Sequence, residues 1–438
     1  MLSIALFEIL NGVTSPAAWH RDASTRDQCK FVGNGVCPSR TAWYDFRDRC
    51  GKFISELHRD LVTHAIDTKL IDPHECAIDG TFTAAAASRH KLFNLKQLNR
   101  RLSKLKRIIR KLDNPSQIAA AKAVAAIPKW VAATAKGRQE QRHRYFNAKR
   151  RMLENIEKNR AKPTRYQKDE LKMTISPADI DAVIGRDKKK VLRPLYNTQF
   201  VTDCASDVII AYDVFAQHND NGTLACMIGK SQNILAGRLV TLHADSGYCS
   251  ILDLQDCEQL NIDLYAPVQD NTAASRKLPN GKIQIASGEF AFDESTRHMT
   301  CPGGHAMKFV KEVQIARADG RTLGELRFEQ SRMICSSCPL AESCFGGKSQ
   351  RRTVARQSDQ KVLDEQKQKM DGERGKKSSH IRAQAIERRF ADGKLHRNQD
   401  VQNGRGLSRV RIEVGLLAVA QNTLTLYLLE KRRAKVST

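Results

Sequence analysis

The order of apolar and polar runs between residues 195 and 245 constrains the fold of this chain most strongly. "YNTQFVTDCASDVIIAYDVFAQHND" contains two β-rich runs, 198–203 and 208–215, which a polar turn joins. The segment "LACMIGKSQNIL" then has the composition of a helix, and "RLVTLHADSGYCS" holds a further strand over 239–244. A succession of strand, strand, helix and strand is typical of an α/β core, because each element must bury its apolar side against the next layer. The sequence therefore predicts an α/β fold.

Helical patterns flank this core on both sides. In residues 1–75, apolar residues recur at three- and four-residue spacings, namely Trp43, Phe46, Cys50, Phe53, Leu57 and Leu61. This spacing predicts a helical domain that serves packing or docking on DNA. Residues 351–380 are highly charged and predict a polar helix followed by a flexible link around 372–379. A helix up to about Phe390 and an apolar C-terminal helix follow, the latter with a sheet-packing stripe of Val414, Leu417, Ala418 and Gln421.

The positive charge of the chain is concentrated in one region. Lys and Arg outnumber Asp and Glu by 73 to 48, a net charge of +25, and residues 88–172 alone hold 25 basic and six acidic residues. "LKQLNRRLSKLKRIIRKL" places its Leu and Ile residues on one helical face, and a second basic helix over 128–159 follows a break at Asn114-Pro115. The first helix is either a solvated helix with a DNA-facing side or one arm of a helical hairpin. Charge runs are usually solvated surface, but a bias this one-sided favours phosphate contact. We expect double-stranded DNA as the partner, bound by Arg100, Arg101, Lys104 and Arg107.

Membrane and secretory signals are weak in this sequence. We find no run of about 18 apolar residues, the length that a membrane span requires, and expect no membrane partner. The N-terminal "MLSIALFEIL" lacks a basic region and contains Glu8, which argues against a signal peptide. Most of the 12 cysteines stand singly in apolar runs, which is typical of the reducing cytoplasm.

Two predicted strands end on an aspartate with a glycine close behind it. Asp79 follows the apolar run of "ECAIDGTFTAAAAS", and Asp245 follows that of "LHADSGY". Singly, each is best explained as a turn residue or a helix N-cap. Together in one basic α/β chain they predict carboxylates that converge on Mg²⁺ and act on phosphodiesters. The best third carboxylate is Glu387 in "RAQAIERRF", which Ile386 and Phe390 would anchor to the core; its alternative is a surface acid that pairs with arginine.

A separate group of cysteines has the spacing of metal ligands. Cys335 and Cys338 are separated by two residues, Cys344 follows, and Cys301 lies upstream in "CPGGH". Four thiolates would make a closed structural zinc site, in which His305 could replace one ligand. The alternative is four reduced cysteines without metal.

Several sequence blocks, in order along nearly the whole chain, resemble bacterial insertion-sequence transposases of the DDE type. "AIDGTFTAAAAS" resembles the family's block around its first aspartate, "YNTQFVTDCASDVIIAYDVF" its strand pair, and "HADSGYCS" its second aspartate block. "CPGGH…CSSCPLAESC" is similar to a cysteine insert of one branch. "IERRFADGKLHRNQDVQNGRGLSRVRIEVGLLAVAQN" resembles the block that carries the third acid.

The resemblance implies a ribonuclease H-like mixed-sheet catalytic core that cuts DNA at transposon ends and joins the freed 3′-hydroxyl to target DNA. It implies that Asp79, Asp245 and Glu387 hold Mg²⁺ or Mn²⁺, with Lys394 as a phosphate clamp. Arg382 and Arg388 flank the third acid as further DNA contacts. A homodimer in the synaptic complex and a bacterial, nucleoid-associated cytoplasmic location follow from the same resemblance.

The expected organisation has seven parts. These are an N-terminal helical domain (1–75), the first catalytic strand (76–87), a basic helical insertion (88–192), core strands with the second aspartate (193–270), a cysteine-containing insertion (271–350), a charged linker or helix (351–380) and the C-terminal catalytic and core helices (381–438).

The sequence departs from the family pattern in three places. The block after Asp79 has Ala86 where the family has asparagine. The last block lacks the family's tyrosine, and Arg382 matches the family's arginine only loosely because it lies one residue too far from Glu387. Met1 enters at what resembles the middle of the helical domain, so we expect some N-terminal DNA contacts to be missing. A decayed or truncated copy that acts only as a DNA-binding protein is therefore the main alternative. A ribonuclease H-like nuclease without strand transfer is a further alternative, because both enzymes share the metal chemistry.

Overall fold

A computed structural model of the chain describes residues 1–113, 127–162, 164–269, 277–316, 320–345 and 350–436. The helices are α1 (Leu2–Leu10), α2 (Pro16–Thr25), α3 (Asp27–Val32), α4 (Arg40–Cys50), α5 (Ile54–Asp67), α6 (Leu95–Asp113), α7 (Ala135–Arg160), α8 (Leu224–Leu235), α9 (Ile251–Gln259), α10 (Arg332–Ser336), α11 (Ala341–Cys344), α12 (Gln360–Asp371), α13 (Glu373–Arg382), α14 (Arg388–Ala391) and α15 (Leu407–Val436). The strands are β1 (Glu75–Ala84), β2 (Val183–Arg186), β3 (Leu192–Asp203), β4 (Ile209–Phe215), β5 (Thr241–His243), β6 (Asp263–Tyr265), β7 (Ala291–Asp293), β8 (His298–Thr300), β9 (Ala306–Ala316), β10 (Thr322–Glu329) and β11 (Thr353–Gln357). The predicted α/β class is confirmed.

The chain forms two compact units. The first unit comprises Met1–Asp220, Met227–Leu239 and Arg382–Thr438, and the second comprises Asn221–Cys226 and Val240–Ile381.

The sheet of the first unit is built around β3. β1, β2 and β4 each pair antiparallel with β3, and Asp79 lies opposite Phe200. β1 continues through Gly80 as far as Ala84. Asp79 therefore lies inside the strand, whereas the sequence analysis had placed it at the strand's end. The reason is that the β-formers Thr81, Phe82 and Thr83 keep pairing with β3 beyond the glycine.

Helices cover this sheet and form the core with it. Trp19 and Trp43, both fully buried, pack edge to face with ring centroids 5.8 Å apart, and Ser15 caps the helix that carries Trp19. All four residues of the predicted C-terminal stripe are buried. The predicted helices at both ends of the chain are therefore confirmed.

Helix α15 is also long and apolar enough to cross a membrane over Leu407–Lys435, by length and composition alone. This differs from the sequence expectation, which rested on uninterrupted apolar runs. However, 67% of the helix's most apolar window is buried inside the protein, and a buried core helix meets the same criteria.

The basic helices α6 and α7 pack on each other through their apolar faces. Leu98, Leu102 and Leu105 of α6 are buried in the same cluster as Ala148 and Met152 of α7, which agrees with the helical-pair alternative. The second helix begins at Ala135, and not at Pro128, because Thr134 accepts a hydrogen bond from the Gly137 amide and caps it there. The predicted break at Asn114-Pro115 lies outside the described residues.

The second unit holds a parallel pair of strands and an antiparallel sheet. β5 and β6 run parallel with α9 between them in the chain. Strands β11, β10, β9, β8 and β7 form a five-stranded sheet in that order, which the sequence analysis did not predict. The predicted flexible link around 372–379 is wrong, because α13 occupies it. Ser378 is buried there, within 2.8 Å of His243 Nδ1, and it donates a hydrogen bond to the Tyr265 carbonyl, so tertiary contacts hold this polar segment as a helix.

Candidate active site

Asp79 lies on the central part of β1 with its side chain largely buried. One carboxylate oxygen, Oδ1, accepts a hydrogen bond from the Gly80 amide at 2.7 Å. The other, Oδ2, accepts from Nη1 of Arg382, and both side chains of that ion pair are less than one-fifth exposed. The strand therefore presents a carboxylate that is already matched to a positive charge from the C-terminal part of the chain.

Glu387 lies on the other side of the same guanidinium. Its Oε1 is 3.7 Å from Nη2 of Arg382, and its side chain is 61% exposed. Residues Ala383–Glu387 form a π-helical turn, and such turns are frequent at functional sites. Ile386 is fully buried and Phe390 stacks on Phe200 with ring centroids 4.9 Å apart, which is the anchoring that the sequence suggested. The first unit thus brings Asp79 and Glu387 to one arginine.

Asp245 belongs to the second unit. It follows β5 by two residues, and its Oδ1 accepts a hydrogen bond from the Gly247 amide at 2.7 Å, which caps a short 3₁₀ turn over Ser246–Tyr248. This is the N-cap arrangement named as the alternative reading of a lone aspartate. The second carboxylate oxygen, Oδ2, does not take part in this capping hydrogen bond.

Lys394 points at the strand that carries Asp79. Its Nζ donates to Thr81 Oγ1 at 2.7 Å and to the Phe82 carbonyl at 2.9 Å. Burial lowers the pKa of the Lys394 ammonium to about 8. These hydrogen bonds tie the segment after Glu387 to β1.

A cluster of polar residues beside Asp79 had no assigned role in the sequence analysis. Asn197 Nδ2 and Gln199 Nε2 each donate to Asp220 Oδ1 at 2.8 Å. They lie opposite Gly80, where a Cβ atom would be 2.4 Å from Asp220 Oδ1 and 2.8 Å from Asn197 Oδ1. Gly80 is therefore required for space, since its backbone is ordinary strand. In the sequence, the two amide residues are visible only as part of the "YNTQ" motif, which could have pointed to this cluster.

The predicted DNA contacts occupy different surroundings. Arg100, Lys104 and Arg107 are exposed on α6. Arg388 is 67% exposed and 3.5 Å from Asp207. Arg101, in contrast, packs against aromatic rings.

The four predicted zinc ligands of the second unit border one cavity, although no three of these described residues group closely enough to hold an ion. Cys301, Cys335, Cys338 and Cys344 line one cavity, which His305 also borders. A Cβ atom placed on Gly303 would lie 3.5 Å from Cys338 Sγ and 3.7 Å from Cys301 Sγ. Burial raises the pKa of the Cys344 thiol to about 11.

No ready metal centre exists in the part of the chain that the structure describes, since no three or more His, Cys, Asp or Glu side chains group closely enough to hold an ion. The carboxylates nevertheless have the right chemistry for Mg²⁺, a hard ion that takes oxygen ligands. Asp79 and Glu387 are arranged around a cation, Arg382, which shows that their position favours positive charge.

Residues 300–427 match the family model of the transposase DDE domain. The matched range contains Glu387, Lys394 and the four cysteines. No curated protein matches the chain. The match supports a DDE transposase, a class of enzymes that acts on DNA and generally uses divalent metal ions.

Proposed function

We propose that this chain is a bacterial insertion-sequence transposase that cuts DNA at transposon ends and joins the freed 3′-hydroxyl to target DNA. The observation that carries the proposal is the placement of Asp79 and Glu387 on either side of the Arg382 guanidinium, in a chain whose C-terminal part matches a transposase DDE domain. A ribonuclease H-like core is supported by β3, which pairs antiparallel with both the Asp79 strand and β4.

Asp79, Asp245 and Glu387 would together hold Mg²⁺ or Mn²⁺. In phosphodiester chemistry of this class, bound metal activates the attacking water or 3′-hydroxyl and stabilises the leaving oxygen. Arg382 offers its guanidinium to a DNA phosphate that approaches the two carboxylates of the first unit. Lys394 holds the strand of Asp79 through Thr81 and Phe82 and supplies a second positive charge below a pH of about 8.

The DNA partner is bound as a duplex along the basic insertion. The exposed Arg100, Lys104 and Arg107 support this assignment, since α6 turns its apolar face to α7 and its charges outward. Two transposon ends must be held together for joining, which favours a homodimer. The working place would be the nucleoid in the bacterial cytoplasm.

The cysteine cavity of the second unit would hold a structural zinc ion. Its support is that four cysteines from two parts of the chain, Cys301 and the group of Cys335, Cys338 and Cys344, line the same cavity.

A cleavage and strand-transfer assay tests the proposed reaction, with DNA that carries the ends flanking the gene and with Mg²⁺ or Mn²⁺. Asp79→Asn, Asp245→Asn and Glu387→Gln should each lower cleavage and joining by about a hundredfold or more, because each removes a charged oxygen ligand, and should leave end binding intact. Asp27→Asn, at an exposed carboxylate of α3, is the matched control and should retain activity.

Each outcome separates one alternative. Near-wild-type cleavage by one of the three variants would remove that residue from the metal site. Wild-type protein that binds ends without cutting in either metal would be a decayed copy. Cleavage without joining would identify a nuclease.

A further inference from the structure

A large cavity of the first unit lies beside the α6–α7 pair, and none of the three predicted carboxylates is among its described lining residues. Its volume is about 510 Å³, which is in the range of pockets that hold small organic groups. We call it the basic–aromatic pocket, and its lining includes Phe93, Arg101, Lys129, Trp130, Arg144 and Tyr145. The proposed function gives this pocket no role.

Three aromatic rings and one guanidinium form the wall of the pocket. The Arg101 guanidinium carbon lies 4.4 Å from the centroid of the Phe93 ring and 4.6 Å from that of Trp130. Tyr145 meets both rings edge to face, at centroid distances of 6.0 and 6.3 Å. Arg101 is therefore held by ring faces, and within the described ranges no carboxylate forms an ion pair with it.

The charge of the pocket has one sign. The lining holds Lys91, Lys129, Arg144 and Arg405 besides Arg101, and none of its described lining residues is Asp or Glu. Like charges gathered without acids repel one another, and an anion at the pocket relieves that cost. Phosphate is the anion that a basic insertion of this kind meets on DNA.

The backbone at Trp130 is held by a buried side chain. Gln141 of α7 donates through Nε2 to the Trp130 carbonyl at 2.8 Å and accepts through Oε1 from the Ala132 amide at 3.0 Å. The segment that carries Trp130 is thus held against α7, which reduces the entropy cost of binding.

We propose that the basic–aromatic pocket binds an unpaired nucleotide of DNA, with the base against the partly exposed ring of Trp130 and the phosphate at Lys129 and Arg144. Aromatic faces bind unstacked bases of any sequence, whereas duplex bases are hidden in the stack. The proposal rests on the proposed function for its ligand, DNA, but it concerns binding residues that lie outside the catalytic carboxylates.

The three tryptophans provide a direct readout. Trp19 and Trp43 are 1% and 0% exposed, whereas Trp130 is partly exposed in the pocket. A short oligothymidylate that stacks on Trp130 should quench the accessible part of the tryptophan fluorescence. An abasic strand of the same length, which has phosphates but no bases, should not.

Affinity of labelled strands tests the pocket in the full-length protein. Trp130→Ala should weaken binding of the oligothymidylate about tenfold, the effect of removing one stacking ring, and leave the abasic strand unchanged. Trp130→Phe should restore most of the affinity because it retains a ring face. Phe146→Ala, which removes an exposed ring of α7 outside the pocket, is the matched control and should bind like wild type.

Unchanged oligothymidylate binding by Trp130→Ala would overturn the proposal. An equal loss of affinity for both strands, in a variant that melts at the wild-type temperature, would overturn it as well.

Asp79→Asn should retain full binding of the oligothymidylate. A protein that binds this strand through Trp130 but cuts no DNA would contradict the proposed function alone, and a transposase indifferent to Trp130 would contradict the pocket alone.

Discussion

At the scale of residues, several buried polar side chains of this protein are positioned by residues far away in the chain. Asp79 pairs with Arg382 across about three hundred positions, and Gly80 leaves room for the amides of Asn197 and Gln199. Neither relation follows from local spacing, because hydrogen bonds of side chains depend on which strands and helices come into contact. The carboxylate pattern itself, in contrast, was visible in the sequence.

Glu413 is a buried carboxyl that should make stability depend on pH. It is 4% exposed, its Oε2 accepts from the Asn403 amide at 2.9 Å, and burial raises its pKa to about 7 despite the nearby Arg47 and Arg409. The folded protein then binds this proton more tightly than the unfolded chain does, so stability falls as pH rises from the ordinary carboxyl pKa toward 7. The full loss is about 3 kcal/mol.

Unfolding by urea at a series of pH values between 4.5 and 7.5 measures this effect. Glu413→Gln retains the shape of the side chain and cannot ionise, so its stability should fall less over this range than that of the wild type. Glu430→Gln changes an exposed carboxyl of the same helix and should follow the wild-type curve. Parallel curves for wild type and Glu413→Gln would contradict the prediction.

At the scale of elements, periodicity predicted helices better than it predicted strands and links. The Leu stripe of α6 lies on α7 as one apolar face, because a 3.6-residue repeat specifies a face without knowledge of the partner. The sequence analysis missed β7, β8 and β11 because they are short, and β9 because most of its residues are exposed and only Met307 is buried. The sequence analysis missed helix α13 because its apolar content is low. Polar contacts of its side chains, such as those of Ser378, stabilise the helix instead.

The cysteine cavity yields a prediction at the same scale. Purified wild-type protein should contain about one zinc ion per chain, and Cys335→Ser or Cys338→Ser should lose the ion and lower the melting temperature. Zinc binding should weaken as pH falls, because each thiol must release its proton and burial raises the pKa of Cys344.

Elemental analysis and thermal melting check this prediction. Cys226→Ser, at an exposed cysteine outside the cavity, should retain both the zinc and the wild-type melting temperature. If wild-type protein contains no zinc and melts at the same temperature as the serine variants, the four cysteines are ordinary reduced thiols.

At the scale of the whole molecule, charge is the dominant property. The chain has a net charge of +25, most of it between residues 88 and 172. Lysine and arginine side chains that contact DNA phosphates release the cations condensed on the DNA. The salt dependence of the affinity is proportional to the number of phosphate contacts. It therefore distinguishes basic side chains that contact DNA from those that do not.

Duplex binding should therefore weaken steeply with salt concentration. On a plot of the logarithm of affinity against that of salt concentration, Lys104→Ala should reduce the slope by about one, because it removes one phosphate contact. Lys361→Ala removes the same charge from α12, where Glu365 already pairs with the lysine, and should leave the slope unchanged. Equal slopes for wild type and Lys104→Ala would show that this face of α6 does not touch the backbone.

By itself, the sequence determined the α/β class, the apolar stripes of α6 and α15, the basic insertion and the spacing of the cysteines. These properties are local, since each depends on residue types a few positions apart. Only the tertiary structure decided that Asp79 lies inside its strand, that Arg382 stands between Asp79 and Glu387, and that Arg101 lies between two rings. Those arrangements depend on packing between segments distant in the chain, and a short window of sequence contains no information about which distant residue will fill a given contact.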